Sequence, residues 1–183
     1  HEVVGIDNLM YSGNAMLPFI SNPNFKFIKY DLCNNFDSIM ERADFIIHFA
    51  GLVGPICEKK PEEAFQINYQ STLKMLDWAK KYNSKFIFVS TCSNYGIQEG
   101  LATETSKLNP LGVYAETKVK AELKIIENYN NFKILRIATL AGLSLRLRFD
   151  TMLNEWVFNG YSEGQISCYQ PNANRPFTHL SDA

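Results

Sequence analysis

The sequence predicts a doubly wound parallel α/β sheet, and two observations favour this class. Short apolar runs rich in β-branched and aromatic residues alternate along the 183 residues with longer runs whose apolar side chains have helical spacing. Acids, hydroxyls or small residues stand where the apolar runs end. Such sheets bind ligands beyond the carboxyl ends of their strands, so these positions form the candidate site.

The composition is that of a globular protein with a sizeable core, since 46% of residues are hydrophobic and 20% are charged. The net charge of −1 provides no basic field, so neither a nucleic acid nor a membrane is predicted as a partner. No apolar run reaches membrane-spanning length. The 4 cysteines contain no C-x-x-C pair, which indicates reduced thiols and a cytoplasmic protein.

The first two strands are predicted at 2–7 and 25–31. The first is a β-rich run that ends in Asp7. The second alternates apolar with polar residues, as a half-buried or edge strand does, and ends in Asp31. A short helix with its apolar side chains facing inward is predicted over 35–42.

The third strand is predicted at 44–51, where an apolar run ends in two small residues. Fully apolar strands are typical of parallel sheets covered on both faces, so both faces of this strand are expected to be buried. A helix is predicted from Pro61 to about Tyr82. Proline suits the first helical position, and Glu62 and Glu63 interact favourably with the helix dipole.

The fourth strand is predicted at 85–91, where a buried run ends in Ser90 and Thr91. A loop with several glycines and prolines follows it. The remaining elements are a helix over 114–130, a strand over 132–138, a helix over 149–158 that closes at Gly160, and a strand outside the main sheet over 165–169.

Tyr114 and Lys118 are four residues apart at the head of a predicted helix, which puts both side chains on one helix face. A phenol titrates near pH ~10 in water, and a fixed neighbouring cation stabilises the phenolate. The pair is therefore suited to general acid/base catalysis near neutral pH. The alternative is a half-buried tyrosine beside a solvated lysine, because both residue types are common.

Several short motifs follow one another in a definite order. They are Asp7-Asn8-Leu9, Tyr30-Asp31-Leu32, His48-Phe49-Ala50-Gly51, the segments 67–72 and 89–96, Tyr114 with Lys118, and the segments 135–139 and 175–182. Together they resemble the extended short-chain dehydrogenases/reductases, in the NAD-dependent epimerase/dehydratase branch that works on nucleotide sugars. The resemblance covers essentially the whole chain and implies a Rossmann-like sheet.

The resemblance implies NAD as the cofactor. Asp7 would accept hydrogen bonds from the adenosine ribose, which favours NAD over NADP because a 2′-phosphate would meet its charge; a turn-capping aspartate is the alternative. The implied cofactor-binding residues are Asp7, Asp31, Leu32, Ala50, Gly51, Asn68, Ser90, Tyr114 and Lys118. Asp31 fits a turn cap equally well, Asn68 fits a helix-packing role nearly as well, and Ser90 would have a supporting role only.

Three residues are implied as catalytic. Tyr114 would exchange a proton with a sugar oxygen while hydride moves to or from the nicotinamide. Lys118 would hold the nicotinamide ribose and favour the phenolate. Thr91 would hydrogen-bond the same sugar oxygen, unless it caps local backbone. His48 lies in an apolar strand and is predicted to be a hydrogen-bonded core residue.

The implied substrate is a nucleoside-diphosphate sugar, bound by Thr91, Thr139, Asn154 and Arg175. Arg175 would clamp the diphosphate with its planar guanidinium or, alternatively, form a surface ion pair. The family often has Asn at the place of Thr139, which weakens that assignment. No metal site is predicted.

Cys92 and Ser93 bear on the choice of reaction. Dehydratases of the family carry an acidic pair directly after the catalytic Thr, and this pair removes water from the sugar. Cys92 and Ser93 stand at those positions here, and neither can act as a carboxyl acid or base. The predicted reaction is therefore epimerisation, by transient oxidation of a sugar hydroxyl. Two alternatives stay open: a reductase or dehydrogenase that uses the same residues, and a relative that binds nucleotide without turnover.

The glycine-rich turn of the family has no counterpart here, and the chain opens on what resembles the second strand. The interpretation is a fragment of a longer protein, with a first strand upstream and substrate-binding sequence downstream. The predicted division is a cofactor-binding domain over 1–140 and the start of the substrate-binding part over 141–183. A homodimer is expected from the resemblance alone.

Overall fold

The computed structural model describes residues 1–36, 39 and 41–183 and comprises two compact units. One unit is made of residues 1–29 and 137–183, and the other of residues 30–136. The candidate catalytic residues Thr91, Tyr114 and Lys118 all lie in the 30–136 unit. The domain division at 140/141 stays a prediction.

The strands are β1 (Val3–Asp7), β2 (Phe25–Lys29), β3 (Phe45–His48), β4 (Lys85–Thr91), β5 (Phe132–Ile137), β6 (Thr139–Ala141) and β7 (Phe177–His179). The α-helices are α1 (Ile56–Lys59), α2 (Pro61–Phe65), α3 (Ser71–Tyr82), α4 (Val113–Asn128) and α5 (Met152–Ser162). A π-helical turn (Gln66–Gln70) joins α2 to α3, and 3-10 turns form at Asn14–Met16, Cys92–Tyr95 and Leu180–Asp182.

The strand pairs β1–β2, β3–β4 and β6–β7 are all parallel, which confirms the predicted α/β class. In the 30–136 unit the strand order is β3-β4-β5, and α3 and α4 pack on this sheet. The core between sheet and helices contains the rings of Phe86 and Phe88 from β4, with Leu76 from α3 and Ile125 from α4. All four side chains are fully buried.

The predicted helix over 61–82 is confirmed as a helical run, but the π turn interrupts its α-helical geometry. Pro61 is at the first helical position, as expected. The run ends where Asn83 adopts a left-handed conformation (φ 55°) and the Ser84 N–H donates to the Ala79 carbonyl at 2.9 Å. This is the usual way in which a helix satisfies its last carbonyls.

The expectation that both faces of the third strand are buried is wrong. Ile46 and His48 point into the core, but Phe45, Ile47 and Phe49 are 60%, 56% and 67% exposed. Successive side chains of a strand point to opposite faces of the sheet, and among the described residues only the face towards α3 and α4 is covered. The apolar run at 44–51 therefore indicates a preference for strand structure, not burial of both faces of the strand.

In the unit made of 1–29 and 137–183, β1 pairs with β2 from Val3 opposite Phe25 to Asp7 opposite Lys29. The expected helix over 149–158 begins later, because Thr151 is extended, and it continues through Gly160 to Ser162.

No strand forms over 165–169, where the Ser167 carbonyl instead accepts a hydrogen bond from Trp156 Nε1 at 2.8 Å. The strand in this part of the chain is β7, which pairs with β6. The helix predicted over 35–42 includes residues 37, 38 and 40, which lie outside the described residues.

Candidate functional site

Asn68 fixes the turn that follows β3. Its Oδ1 accepts a hydrogen bond from the Leu52 N–H at 2.7 Å, and its Nδ2 donates to the Leu52 carbonyl at 2.9 Å. A carboxamide carries the donor and acceptor of a peptide group, so Asn68 pairs with this turn as a neighbouring strand would. Nδ2 also donates to Thr117 Oγ1 at 3.2 Å, which links the turn to α4.

The π turn presents Asn68 to the interior. An α-helix advances by about 100° per residue, so the wider π turn changes which side chains face the sheet before and after it. Asn68 is fully buried within this turn. The sequence predicts the helix, but it carries no recognisable signal for the π turn. Both the packing role and the site role of Asn68 are thus compatible with its position.

The ammonium group of Lys118 is buried beside this turn. Lys118 is 3% exposed, and its Nζ lies 4.4 Å from the centre of the Phe88 ring. Within the described part of the chain, Nζ has neither a hydrogen-bond acceptor nor an ion-pair partner. Burial lowers the pKa of Lys118 from 10.5 to about 8, and the Glu122 carboxylate opposes this shift. Lys118 therefore retains donor capacity that its surroundings do not use.

Gly51 leaves room beside that ammonium. A Cβ atom at this position would lie 3.3 Å from Asn68 Oδ1 and 3.8 Å from Lys118 Nζ. The first of these distances is tight for a carbon atom, and any larger side chain would take up the space next to Nζ. The structure thus brings Gly51, Asn68 and Lys118 together, as the sequence predicted.

Tyr114 lies in the first turn of α4, one helical turn before Lys118, and its side chain is half-buried. Its carbonyl accepts a hydrogen bond from Thr117 Oγ1 at 2.8 Å. The start of α4 is held by Glu58, whose Oε1 accepts from the Val113 N–H at 2.7 Å. A carboxylate at this end of a helix satisfies a free N–H and interacts favourably with the dipole. The turn that carries Tyr114 is thus anchored.

Thr91 ends β4 and caps the 3-10 turn that follows. Its Oγ1 accepts from the Ser93 N–H at 3.1 Å and donates to Ser93 Oγ at 3.1 Å. The local capping role that the sequence left open is therefore real. A hydroxyl oxygen has a second lone pair, so capping does not exclude a contact with a ligand. The role of Thr91 towards a substrate stays a prediction.

A buried polar cluster, which the sequence did not reveal, ties the turn after Thr91 to α4. We call it the Glu122 cluster; it contains Ser90, Asn94, Tyr95, Glu122 and Arg136. Glu122 is 0% exposed, and both of its carboxylate oxygens accept from the Arg136 guanidinium at 2.7 to 3.1 Å. Its Oε1 also accepts from Asn94 Nδ2 at 2.7 Å. The available signal was an acid four residues after Lys118, on the inward face of the helix.

His48 is the core residue that the sequence predicted. It is buried, its ring stacks on those of Phe86 and Phe88 at centroid distances of 6.0 and 6.1 Å, and its Nε2 lies 3.0 Å from Thr72 Oγ1. Burial and the nearby charge of Lys118 lower the pKa of His48 from 6.5 to about 3. The imidazole is therefore neutral at physiological pH.

The predicted cofactor residues Asp31, Leu32 and Ala50 also lie in this unit. Asp31 Oδ1 accepts from the Cys33 N–H at 2.9 Å, so it caps a turn, which is one of its two predicted roles. Leu32 is half-buried against the core, and Ala50 is half-buried directly before Gly51. Their contacts with a cofactor stay predictions.

Asp7 lies in the other unit, at the end of β1, with an exposed side chain. Its Oδ1 accepts from the Leu9 N–H at 2.6 Å, which is the turn-capping role weighed above. One carboxylate oxygen is thus engaged locally, and the ribose contact stays a prediction.

The predicted substrate residues Thr139, Asn154 and Arg175 belong to the same unit as Asp7. Thr139 begins β6, and its N–H donates to the Pro176 carbonyl at 3.3 Å. Asn154 Nδ2 donates to the Arg148 carbonyl at 2.9 Å. Arg175 has an exposed side chain. The substrate-binding roles of these three residues stay predictions.

Across residues 1–36, 39 and 41–183, no group of three or more histidine, cysteine or acidic side chains is placed to hold a metal ion. No helix in the described segments is both long and apolar enough to cross a bilayer. Cys33, Cys57, Cys92 and Cys168 form no disulfide bonds with one another.

Sequence comparison identifies curated relatives that match nearly the whole chain. UDP-glucuronic acid decarboxylase 2 of Arabidopsis thaliana is 32% identical over 195 residues, which covers 98% of this chain and 43% of the relative. The uncharacterised UDP-glucose epimerase YtcB of Bacillus subtilis is 28% identical over 200 residues, which covers 100% of this chain and 62% of the relative. The chain thus spans about half the length of these curated relatives.

Two solved structures are similar over almost the entire chain. UDP-glucuronic acid 4-epimerase from Bacillus cereus, in complex with UDP-glucuronic acid and NAD, is 25% identical with a TM-score of 0.87 and covers 99% of this chain and 62% of its own. The dTDP-glucose 4,6-dehydratase DesIV from Streptomyces venezuelae, also with NAD bound, is 26% identical with a TM-score of 0.86. It covers 99% of this chain and 59% of its own. These similarities confirm the Rossmann-like fold.

The fold, the Tyr114–Lys118 helix and the relatives all agree with one family model. That model is described as the NAD dependent epimerase/dehydratase family, and it matches residues 1–183. The chain therefore belongs to the NAD-dependent epimerase/dehydratase family.

Proposed function

We propose that the complete protein is an NAD-dependent epimerase of a nucleotide sugar, with Tyr114, Lys118 and Thr91 at its catalytic centre. The observation that carries the proposal is Lys118, a residue only 3% exposed that lies beside Gly51 and one helical turn after Tyr114, and whose ammonium has no hydrogen-bond acceptor in the described part of the chain. A cation that is largely shielded from water gains from new hydrogen-bond acceptors, so a ligand that supplies oxygen acceptors would be bound favourably.

NAD fits the residues that are present. Its ribose hydroxyls offer the acceptors that Lys118 Nζ does not have in the described part of the chain, and Gly51 leaves space beside that nitrogen. Lys118 would hold the nicotinamide ribose, while Asp31 and Leu32 would lie against the adenine. Asp7 would bind the adenosine ribose and disfavour a 2′-phosphate. Bound NAD would supply a nicotinamide that takes up hydride from a sugar carbon and returns it.

The chain's own residues would handle the proton. Tyr114, as phenolate, would take the proton of the sugar hydroxyl while the carbon–oxygen bond becomes a carbonyl. The Lys118 cation one turn away favours the phenolate. Thr91 would turn its one hydroxyl proton from Ser93 Oγ to the same oxygen and orient it. After the keto sugar has turned its other face to the nicotinamide, Tyr114 would return the proton and complete the inversion.

Cys92 and Ser93 support epimerisation over 4,6-dehydration. Removal of water from the sugar needs a carboxylic acid and a carboxylate beside the catalytic Thr, and this chain offers a thiol and a hydroxyl there. Arg175 and Asn154 would contribute to the binding of the diphosphate.

Decarboxylation of a UDP-sugar acid is a second candidate. Its support is the 32% identity to UDP-glucuronic acid decarboxylase 2. The same oxidation, with the nicotinamide of NAD as the hydride acceptor and Tyr114 as the base, would begin it, because a ketone next to the carbon that bears the carboxylate makes loss of CO₂ possible. A reductase that uses the same residues is the remaining alternative.

Replacement of Tyr114 by Phe tests the catalytic assignment in the complete protein. Loss of the phenol oxygen should lower turnover of a nucleotide sugar by about 100-fold or more, the size of a general acid/base contribution, while NAD binding persists. The control is Tyr82→Phe, which removes a phenol from the last residue of α3 and should leave turnover unchanged. Undiminished turnover by Tyr114→Phe would overturn the proposal.

The type of reaction is tested with UDP-glucose and UDP-glucuronic acid as substrates. An epimerase gives a product of equal mass with no net change in nicotinamide absorbance. A decarboxylase releases CO₂ from UDP-glucuronic acid, and a reductase consumes NADH in proportion to product.

A further inference from the structure

Glu122 is a buried carboxylate whose four hydrogen bonds connect two parts of the candidate site. Three come from Arg136, and the fourth comes from Asn94 Nδ2 at 2.7 Å. Asn94 lies in the 3-10 turn that begins directly after Thr91, and its Nδ2 also donates to Ser90 Oγ at 3.0 Å. Glu122 thus lies between the end of β4 and the helix that carries Tyr114 and Lys118.

The spacing along α4 makes this connection specific. Tyr114, Lys118 and Glu122 follow one another at intervals of four residues, so they occupy successive turns of one helix face. Any shift of the turn after Thr91 relative to α4 would have to break the bond between Asn94 and Glu122. The distance between the Thr91 hydroxyl and the Tyr114 helix is therefore fixed through Glu122.

Arg136 makes the arrangement rigid. Its Nε and Nη2 bind both carboxylate oxygens, which fixes the plane of the Glu122 side chain. Its Nη1 donates to the Tyr95 hydroxyl at 3.0 Å, and the guanidinium lies 5.0 Å from the centre of the Tyr95 ring. Because Tyr95 ends the same 3-10 turn, this turn is held at two points, by Asn94 and by Tyr95.

Stability alone is a poor reason for this cluster. A buried ion pair pays a desolvation cost that often matches its attraction, so well-packed apolar residues of similar size are commonly as stable. The ion pair instead fixes the relative positions of the groups it joins, since its hydrogen bonds are satisfied in one geometry only.

We propose that Glu122 is a positioning residue of the reaction, which holds the Thr91 turn against α4 so that Thr91 and Tyr114 act on the same substrate oxygen. The inference rests on the proposed function. Glu122 touches neither substrate nor cofactor and acts through Asn94.

The test compares four variants of the complete protein. Glu122→Gln removes the charge and one acceptor, and Asn94→Ala cuts the link to the turn while the pair with Arg136 stays intact, so it serves if the first variant folds poorly. Glu127→Gln is the same change at an exposed position of the same helix, where the side chain pairs with Lys124 at 2.6 Å. Ile125→Ala removes buried packing on α4 and lowers stability without touching the cluster.

Two readouts separate positioning from a purely structural role. Glu122→Gln and Asn94→Ala should lower kcat by about 10- to 100-fold, as a misplacement of about 1 Å does, with NAD affinity unchanged. Hydrogen exchange without cofactor should rise at residues 92–96, where the Gly96 N–H donates to the Ser93 carbonyl, but not at 85–90. Ile125→Ala and Glu127→Gln should keep kcat.

Failure of this inference is distinguishable from failure of the proposed function. Full turnover by Glu122→Gln and Asn94→Ala, with Tyr114→Phe inactive, overturns only the positioning role. A loss of kcat in Ile125→Ala equal to that in Glu122→Gln, at the same fall in melting temperature, also overturns it. Full turnover by Tyr114→Phe overturns the proposed function itself.

Discussion

His48 contributes a pH dependence to stability because it is neutral in the fold and free to ionise when unfolded. Its pKa is lowered from 6.5 to about 3, chiefly by burial and then by Lys118. Between these values the unfolded chain binds more protons than the folded one, so the free energy of unfolding falls as the pH drops from about 6.5 towards 3. Below that window no further change comes from this group.

The expected result is that His48→Gln, which keeps a side-chain donor towards Thr72, flattens the acid limb of stability against pH. Urea unfolding at a series of pH values between 7 and 4 would measure it. His179→Gln is the matched control, since His179 is exposed in the fold. An unchanged acid limb in His48→Gln would contradict the assignment.

At the scale of single residues, the sequence predicted candidate catalytic groups but not the contacts that hold them in place. Tyr114, Lys118 and Thr91 were identified from a spacing and from the order of motifs. Glu58 and Glu122 were missed, because their partners are 55 and 14 residues away in the chain and only folding brings these groups together. The spacing of four residues from Lys118 places Glu122 on the inward face of α4, but it does not identify Arg136 as its partner.

Secondary-structure elements were predicted well where the apolar pattern was strong. The strand at 85–91 and the helix around Tyr114 lie where expected, because buried alternation and helical spacing are local signals. The prediction of a strand at 165–169 was wrong, since the Ser167 carbonyl accepts a hydrogen bond from the Trp156 side chain of α5. The π turn within 61–82 could not be predicted, because no local residue preference marks it.

Gly96 closes the 3-10 turn after Thr91, in a conformation that a side chain cannot adopt. Its φ and ψ are 62° and −144°, and a Cβ atom would lie 1.9 Å from the Asn109 carbonyl oxygen. Gly96→Ala should therefore cost about 3 kcal/mol or more, from backbone strain together with the clash. Urea unfolding of the complete protein measures the loss.

Gly100→Ala is the matched control for this prediction. Gly100 also has a positive φ of 89°, but no atom lies within 4 Å of an added Cβ. Gly100→Ala should lower the free energy of unfolding by only about 1 kcal/mol, which is the cost of the backbone conformation without a clash. Equal losses at the two positions would show that the contact with Asn109 is unimportant.

For the whole molecule, the parallel α/β class and the family were predictable, whereas the extent of the core was not. An apolar strand does not say how many of its faces are covered, since that depends on segments far away in the chain. The sheet of the 30–136 unit is covered by α3 and α4 on one face, and β3 exposes Phe45 and Ile47 on the other. The homodimer expected from the resemblance stays a prediction.

Neighbouring isoleucines in β3 test this asymmetry. Ile46 is 7% exposed and Ile47 is 56% exposed. Ile46→Ala should lower the free energy of unfolding by about 2–5 kcal/mol, as in a packed core, and Ile47→Ala by less than about 1.5 kcal/mol. Chemical denaturation of the complete protein compares the two directly. Similar losses would mean that the second face is covered in the complete protein.

The hydrogen bonds around Asn68 leave a single arrangement of protons beneath the site. Thr72 gives its only hydroxyl proton to the Asn68 carbonyl, so its contact with His48 must use an imidazole proton. Thr117 likewise gives its proton to the Tyr114 carbonyl and receives one from Asn68. In each of the two chains of bonds, one ending at the Asn68 carbonyl and the other at the Tyr114 carbonyl, a threonine hydroxyl accepts one proton and donates another, and hydrogen bonds linked in this way polarise one another. The base of the candidate site is therefore proton-ordered, and we expect that a ligand binding at Lys118 would not have to reorient these two hydroxyls.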